Sequence, residues 1–239
     1  MARKLLAESV AEGLLDRILR GEVGPDEALP AEAQLAREFG TSRLTVREAL
    51  RTLQARHIVQ VRRGLGTYVN PPGSWTDLEA ILMAASRGVA SSQVALRLLE
   101  VRRMVETGSA ELAARRAAPE DLTRMQQAIE DLERASAAED LDAVTRSDLA
   151  FHDALLRASG NPFVPVLLGQ LGQLLYTARR ETSAFAEVQR HAIHHHKLVL
   201  EAVASGDPQQ ARRAMEEHID QTYDDYERYI GHSTTTGDE

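Results

Sequence analysis

From residue 75 to residue 230 the sequence repeats one signal, apolar residues at the three-and-four spacing of an amphipathic helix, and no alternating strand pattern competes with it. WTDLEAILMAASRG, SSQVALRLLEVRRMVETGSAELAARRA and PEDLTRMQQAIEDLERASAAED read as helices. So do Leu141 to Ser159, Pro162 to about Thr182, about Ala186 to Ala204, and Pro208 to about Ile230. Gly160 with Pro162, and Gly206 with Pro208, mark points where one helix stops and the next starts. Short connections make successive helices antiparallel neighbours, so this stretch is expected to form an all-α antiparallel bundle.

A chain of 239 residues with 43% hydrophobic residues has material for one large or two modest domains. It has no cysteine, so disulfides and thiolate metal sites are excluded, and any metal must be held by nitrogen and oxygen. No apolar run approaches the ~18 residues of a membrane span, and the expected location is the cytoplasm. Charge is unevenly spread: residues 1–70 carry 11 Arg and Lys against 9 Asp and Glu, leaving 17 against 27 for the remainder. The two parts are therefore expected to prefer different partners.

In the first part, Val10, Leu14 and Ile18 with Leu15 and Leu19 give one helix ending before Gly21. LPAEAQLAREFG gives a second, with Pro30 in its first turn, Leu35 and Phe39 inward, and Gly40 past its end. Thr41 or Ser42 caps a third, SRLTVREALRTLQAR, which buries Leu44 or Val46 with Leu50 and Leu53 and presents Arg43, Arg47 and Arg51 on another face. HIVQVRRGLGTYVN then reads as a small glycine-bearing hairpin. An arginine stripe alone is most often a solvated helix face. Basic helix, short turn and basic hairpin in this order instead favour DNA binding, with phosphate neutralisation from the arginines and base reading from Arg43 and Arg47. Asn70 followed by Pro71–Ser74 forms a breaker cluster, so the expected organisation is a DNA-binding domain at 1–70, a linker at 71–74, a helical domain at 75–230 and a disordered tail at 231–239.

The segment ALPAEAQLAREFGTSRLTVREALRTLQARHIVQVRRGLGTYV resembles the winged helix-turn-helix of the GntR family of bacterial transcription regulators, through LP-x-E, SR-x-T-V-REAL and the G-x-G-T hairpin. Ala33 stands where many members have arginine. The resemblance implies a homodimer on a palindromic double-stranded DNA operator. It implies that Ser42, Arg43, Thr45 and Arg47 meet DNA from the recognition helix. Arg62 and Arg63 flank a wing whose Gly64 and Gly66 let the backbone approach.

Helical phase sorts the histidines of HAIHHHK. The apolar stripe Ala192, Val199 and Val203 is completed by His196, whereas His191, His194 and His195 fall largely on other faces. On the preceding long segment Leu141, Val144, Asp148, Phe151 or His152, and Leu155 form one stripe, so Asp148 and His152 lie one turn apart on an inward face. On the last helix Ala211, Met215, His218 and Thr222 do the same. One inward histidine is ordinarily a hydrogen-bonded core residue. Three with an aspartate, on successive inward faces, suit a divalent transition metal, with Zn as first choice and Ni, Mn or Fe as alternatives.

SDLAFHDALL, SGNP, HKLVLEAVASGD and AMEEHI resemble the FCD effector-binding domain of the FadR subgroup over residues 75–230. In metal-dependent members the ligands fall at positions matching Asp148, His152, His196 and His218. The resemblance also implies a small carboxylate effector, with Arg102 as an anchor and Tyr176 and Arg180 as candidate lining. The expected function is a metabolite-responsive transcription regulator, a repressor by first choice, and not an enzyme: no independent nucleophile or general base accompanies the four ligands. The alternatives are a constitutive DNA-binding dimer with a structural metal, and a metal-dependent enzyme.

Overall fold

In a computed structural model describing residues 2–87 and 91–231, contacts divide the chain into two units, Met1–Val89 and Ala90–Glu239. The expected disordered tail lies, apart from Gly231, outside the described residues. The architecture is mainly α, with one two-stranded hairpin among the described residues.

The first unit runs α1 (Ala2–Arg20), α2 (Glu32–Glu38), α3 (Arg43–Ala55), β1 (Val59–Arg62), β2 (Gly66–Val69) and α4 (Leu78–Ser86). Val10, Leu14 and Ile18 of α1 pack with Leu35, Val46, Leu50 and Leu53 into a single core, closed by Ile58 and Val69 of the hairpin region. Val46, and not Leu44, takes the inward place on α3; Leu44 is 48% exposed. The cap is Ser42, whose side chain accepts the Thr45 N–H. α2 starts at Glu32, so Pro30 precedes the helix instead of occupying its first turn. β1 pairs antiparallel with β2 from Val59 opposite Val69 to Arg62 opposite Gly66. The three-residue turn between them depends on Gly64 at φ 78° and Gly66 at φ 124°, backbone that L side chains rarely adopt.

The stretch expected as a linker is part of this unit. Residues Pro72–Ser74 form a 3₁₀ turn, the Trp75 indole donates to the Asn70 carbonyl at 2.8 Å, and Thr76 N–H donates to Arg56 O at 3.0 Å. Trp75 and Ala80 then join the core around Leu14. The large apolar ring that follows this turn is buried in the first unit, and α4 comes after it.

The second unit contains α5 (Ser91–Arg116), α6 (Pro119–Ala137), α7 (Leu141–Ala158), α8 (Phe163–Gly169), α9 (Gly172–Thr182), α10 (Ala186–Ala204) and α11 (Pro208–Tyr226), ending in a π-type turn at Glu227–Gly231. Ala110, Ala113, Ala128, Ala154, Ala202 and Ala211 line its core beside Met125, Ile129, Phe151, Leu155, Val199 and Met215. Small side chains at the contacts let five helix axes approach closely while the large ones fill the intervening grooves. α10 ends on Gly206 at φ 75°, and Asp207 caps α11 by accepting two backbone N–H groups, so the reversal takes three residues. The single helix expected over 162–182 is two helices: Gly169 and Gly172, three residues apart, weaken the helix where the α8–α9 corner forms.

Candidate metal centre and nucleic-acid interface

Five helices of the second unit aim side chains at one buried point. α7 supplies Asp148 and His152, α10 His196, α11 His218, α5 Arg102 and Glu106, and α9 Arg179, and all are buried. His196 is fully enclosed and stacks on Phe151 with ring centroids 3.9 Å apart, which fixes its ring plane. His152 Nε2 lies 3.2 Å from His196 Nε2 and 3.4 Å from His218 Nε2. All three donor nitrogens lie within 4.8 Å of one another.

The arrangement fits a metal ion. Nitrogens bound tetrahedrally at ~2.0–2.1 Å stand ~3.3–3.4 Å apart, close to the spacings seen. Burial keeps His196 and His218 well below the ordinary imidazole range, and the neighbouring imidazole and guanidinium groups push the same way, so both are neutral and present lone pairs. Burial lowers His152 too, against the opposing pull of Glu106. Glu106 Oε2 stands 2.8 Å from His152 Nδ1 without hydrogen-bond geometry, and its negative charge favours a proton on that nitrogen while Nε2 faces the cluster. Burial alone would raise the Glu106 carboxyl, but Arg102 and His152 outweigh it and hold it well below the carboxylate range. His196 Nδ1 has no hydrogen-bond partner.

Asp148 sits at the edge of this group. One oxygen is 3.5 Å from His196 Nε2, and the other is ion-paired to Arg179, whose Nε has no partner. Arg102 grips Glu106 through Nε at 2.9 Å and Nη2 at 3.3 Å, and its Nη2 is also 3.3 Å from His152 Nε2. Two guanidiniums and two carboxylates thus balance around neutral imidazoles. A divalent cation added here leaves positive charge to be met by an anion.

Of the expected effector-lining residues, Arg102 is in the cluster. Arg180 is exposed and donates to Asp142 at 2.8 Å; half-buried Tyr176 also donates to Asp142, at 3.3 Å. Their turn of α9 faces away, and the arginine it buries is Arg179. Glu106 and Arg179 had no reading from sequence; each is a charged residue at helical spacing from apolar neighbours, the same signal that exposed Asp148. Two cavities adjoin the cluster and share Arg179, Thr182 and Thr222 as a wall. One is polar, with His191, Gln221 and Asp225 beside Asp148 and His218; the other is apolar, with Leu98, Leu99, Leu175 and Tyr226 beside Arg102.

In the first unit, Arg43, Arg47 and Arg63 are exposed, as are Gly64 and Gly66. Arg47 forks onto Glu32 at 3.1 and 2.7 Å, and Arg62 pairs with Asp26 at 2.7 Å while lying 4.1 Å over the Tyr68 ring. A Cβ on Gly64 or Gly66 would meet nothing within 4 Å, so these glycines serve the turn's dihedrals in the free protein, not internal space. Thr45 departs from expectation. It is 3% exposed and its hydroxyl shares a hydrogen bond with Ser42 Oγ at 2.9 Å, because α3 turns the face containing Thr45, Val46 and Ala49 into the core.

The gntR family of bacterial regulatory proteins matches residues 6–69, and the FCD domain family matches residues 97–221. The HTH-type transcriptional regulator LutR of Bacillus subtilis is 34% identical over 209 residues, covering 84% of this chain and 92% of LutR. The galactonate operon transcriptional repressor of Escherichia coli is 28% identical over 200 residues, 83% of this chain and 86% of that protein. The solved structure of Lar, which controls expression of the agr system in Listeria monocytogenes, superposes with a TM-score of 0.62 over 93% of this chain and 96% of Lar at 22% identity, a likeness of fold.

Proposed function

The chain belongs to the GntR family of bacterial transcription regulators, with an FCD domain as its larger part, and from that premise we propose how it senses a metabolite and reads DNA. It is a DNA-binding transcription regulator and not an enzyme, and no helix among the described residues is long and apolar enough to cross a membrane.

In the proposed scheme the DNA-binding part, residues 1–70 in the sequence reading and α1 to α4 by packing, meets a palindromic operator as a homodimer in the cytoplasm. Arg43 and Arg47 reach base edges from the start of α3, while Ser42 at the cap and Arg62 and Arg63 on the hairpin meet phosphates. Arg47 must leave Glu32 to do so. Gly64 and Gly66 leave the wing tip without side chains, so its backbone can come close to the duplex.

The second unit holds a divalent metal, Zn by first choice and Ni, Mn or Fe otherwise, through His152, His196 and His218 with Asp148 completing the set. The observation that carries this is the convergence of three buried Nε2 atoms at 3.2 and 3.4 Å spacings. When bound, the ion supplies Lewis-acid affinity for a carboxylate. Arg102 and Arg179 flank the same point, and Arg179, with an unpartnered Nε, is the better anchor for a small organic or sugar acid. An acid competing with Asp148 for Arg179 couples ligand occupancy to the positions of α7 and α9. A coupling of about 1–3 kcal/mol changes operator affinity roughly 5- to 150-fold. Release from DNA on binding the acid makes the chain a repressor, as the galactonate operon relative is named.

The test is operator binding by fluorescence anisotropy, with and without acids, for wild type and His196→Ala. The expected result is unchanged basal affinity and loss of the acid response. An acid response surviving in metal-stripped His196→Ala would overturn the metal-centred scheme. A metal that stabilises the fold while no acid alters melting or DNA affinity would leave only a structural ion.

A further inference from the structure

We propose that His194 and His195 form an imidazole path that carries a divalent metal from solvent to His218, so that loading and exchange of the ion are set by residues outside the ligand set. This rests on the reading that the three buried histidines hold a metal.

His152, His196 and His218 are all buried, and so is Asp148, so an ion from solvent must pass other groups to reach them. Beside His196 on α10, two more histidines lead outward in graded order. His194 is exposed, His195 is half-buried, and His218 on α11 is buried. Ring centroids stand 5.5 Å apart from His194 to His195 and 6.0 Å apart from His195 to His218. Within the cluster the three spacings are 5.0, 5.2 and 4.8 Å, so the outer pair continues the same series at a slightly wider step.

His195 Nδ1 is shut off from solvent and has no hydrogen-bond partner. A buried polar nitrogen without a partner is costly, and an apolar side chain in this place would pack without that cost. The nitrogen instead offers a lone pair to a passing cation. Each step along the path replaces one water or imidazole on the ion by the next imidazole, and every ring keeps its proton on the other nitrogen, so no charge is created on the way. Glu217 and Asp225 act electrostatically on His195 and favour a cation beside it. His191 is turned to Asp225 instead, with Nδ1 at 2.9 Å from Oδ1, and borders the polar cavity.

The experiment uses the untagged, full-length protein stripped of metal. Zinc uptake is followed by stopped-flow transfer from a chromophoric chelator, zinc loss by challenge with excess chelator, and affinity by competition at equilibrium. Wild type is compared with His194→Gln, His195→Gln and His191→Gln. His195→Gln is expected to slow uptake and loss by the same factor, about tenfold, as raising one barrier by about 1.4 kcal/mol does, with affinity unchanged. His194→Gln is expected to slow both by a smaller equal factor. A residue that serves passage alone acts on both directions alike, whereas a ligand or a packing residue alters affinity. His194 is exposed, so its variant tests the path even where replacement at His195 disturbs folding. Unchanged rates in either variant overturn the proposal, and so does an affinity lowered by faster loss alone. Slowed loading in His191→Gln with His195→Gln unaffected puts the route in the polar cavity and overturns it as well, while the metal centre stands. If wild type takes up no zinc, the reading of the centre falls and the proposal with it.

Discussion

Glu106 holds the Nδ1 side of His152 and so decides which nitrogen faces the cluster. Glu106→Gln is expected to lower metal affinity about 10- to 100-fold, read by competition with a chromophoric chelator, because an amide no longer fixes that tautomer. Unaltered affinity would show that His152 is oriented by packing alone. Arg179 gives a sharper test. Its removal leaves Asp148 buried without its cation, so Arg179→Ala should cost the metal-free protein roughly 3–5 kcal/mol in denaturant melts. Metal loading should shrink that loss, since Asp148 then faces another cation; an equal loss in both forms would take Asp148 out of the ligand set. At this scale the phases of α7, α10 and α11 made Asp148, His152, His196 and His218 legible as inward residues. Arg102 with Arg103, and Arg179 with Arg180, were harder. Adjacent arginines differ by about one hundred degrees around a helix, and only tertiary packing decides which is buried.

At the scale of elements, α3 and the hairpin were legible as elements because capping, arginine spacing and a glycine turn agree with one another. The α8–α9 corner was not, since two glycines within an apolar helical pattern are compatible with a kink, a weak helix or a break. The burial of Trp75 was hidden for a similar reason: a breaker cluster tells where regular structure stops, not where the following chain packs. Ser42→Ala should remove about 1 kcal/mol from the first unit by leaving the Thr45 N–H without its side-chain cap. Differential scanning calorimetry reads this, and a midpoint equal to wild type would mean that water replaces the cap. Arg47→Ala removes an exposed fork and should leave melting unchanged while weakening operator binding roughly tenfold or more. If a scrambled duplex weakens by the same factor, Arg47 serves phosphate and not bases.

For the whole molecule, the buried imidazoles tie folding to acidity. His196 and His218 are held neutral in the folded protein by burial, whereas in the unfolded chain they take up protons as pH falls through ~6.5. The unfolded state then binds more protons than the folded one. The metal-free protein should therefore keep its full stability above ~6.5 and lose it progressively below, as urea midpoints in a pH series would read; midpoints flat down to ~5.5 would contradict neutral burial. Trp75 makes a finer question accessible. It is the chain's one tryptophan, it is buried in the core of the first unit, and its indole N–H is bonded to Asn70. Fluorescence excited selectively at tryptophan, away from the tyrosine band, therefore follows the DNA-binding unit alone during denaturation, while far-ultraviolet circular dichroism is dominated by the longer helices of the second. A gap between the two curves, or its closing when an acid is added, measures how far the two units melt as one without any label being attached.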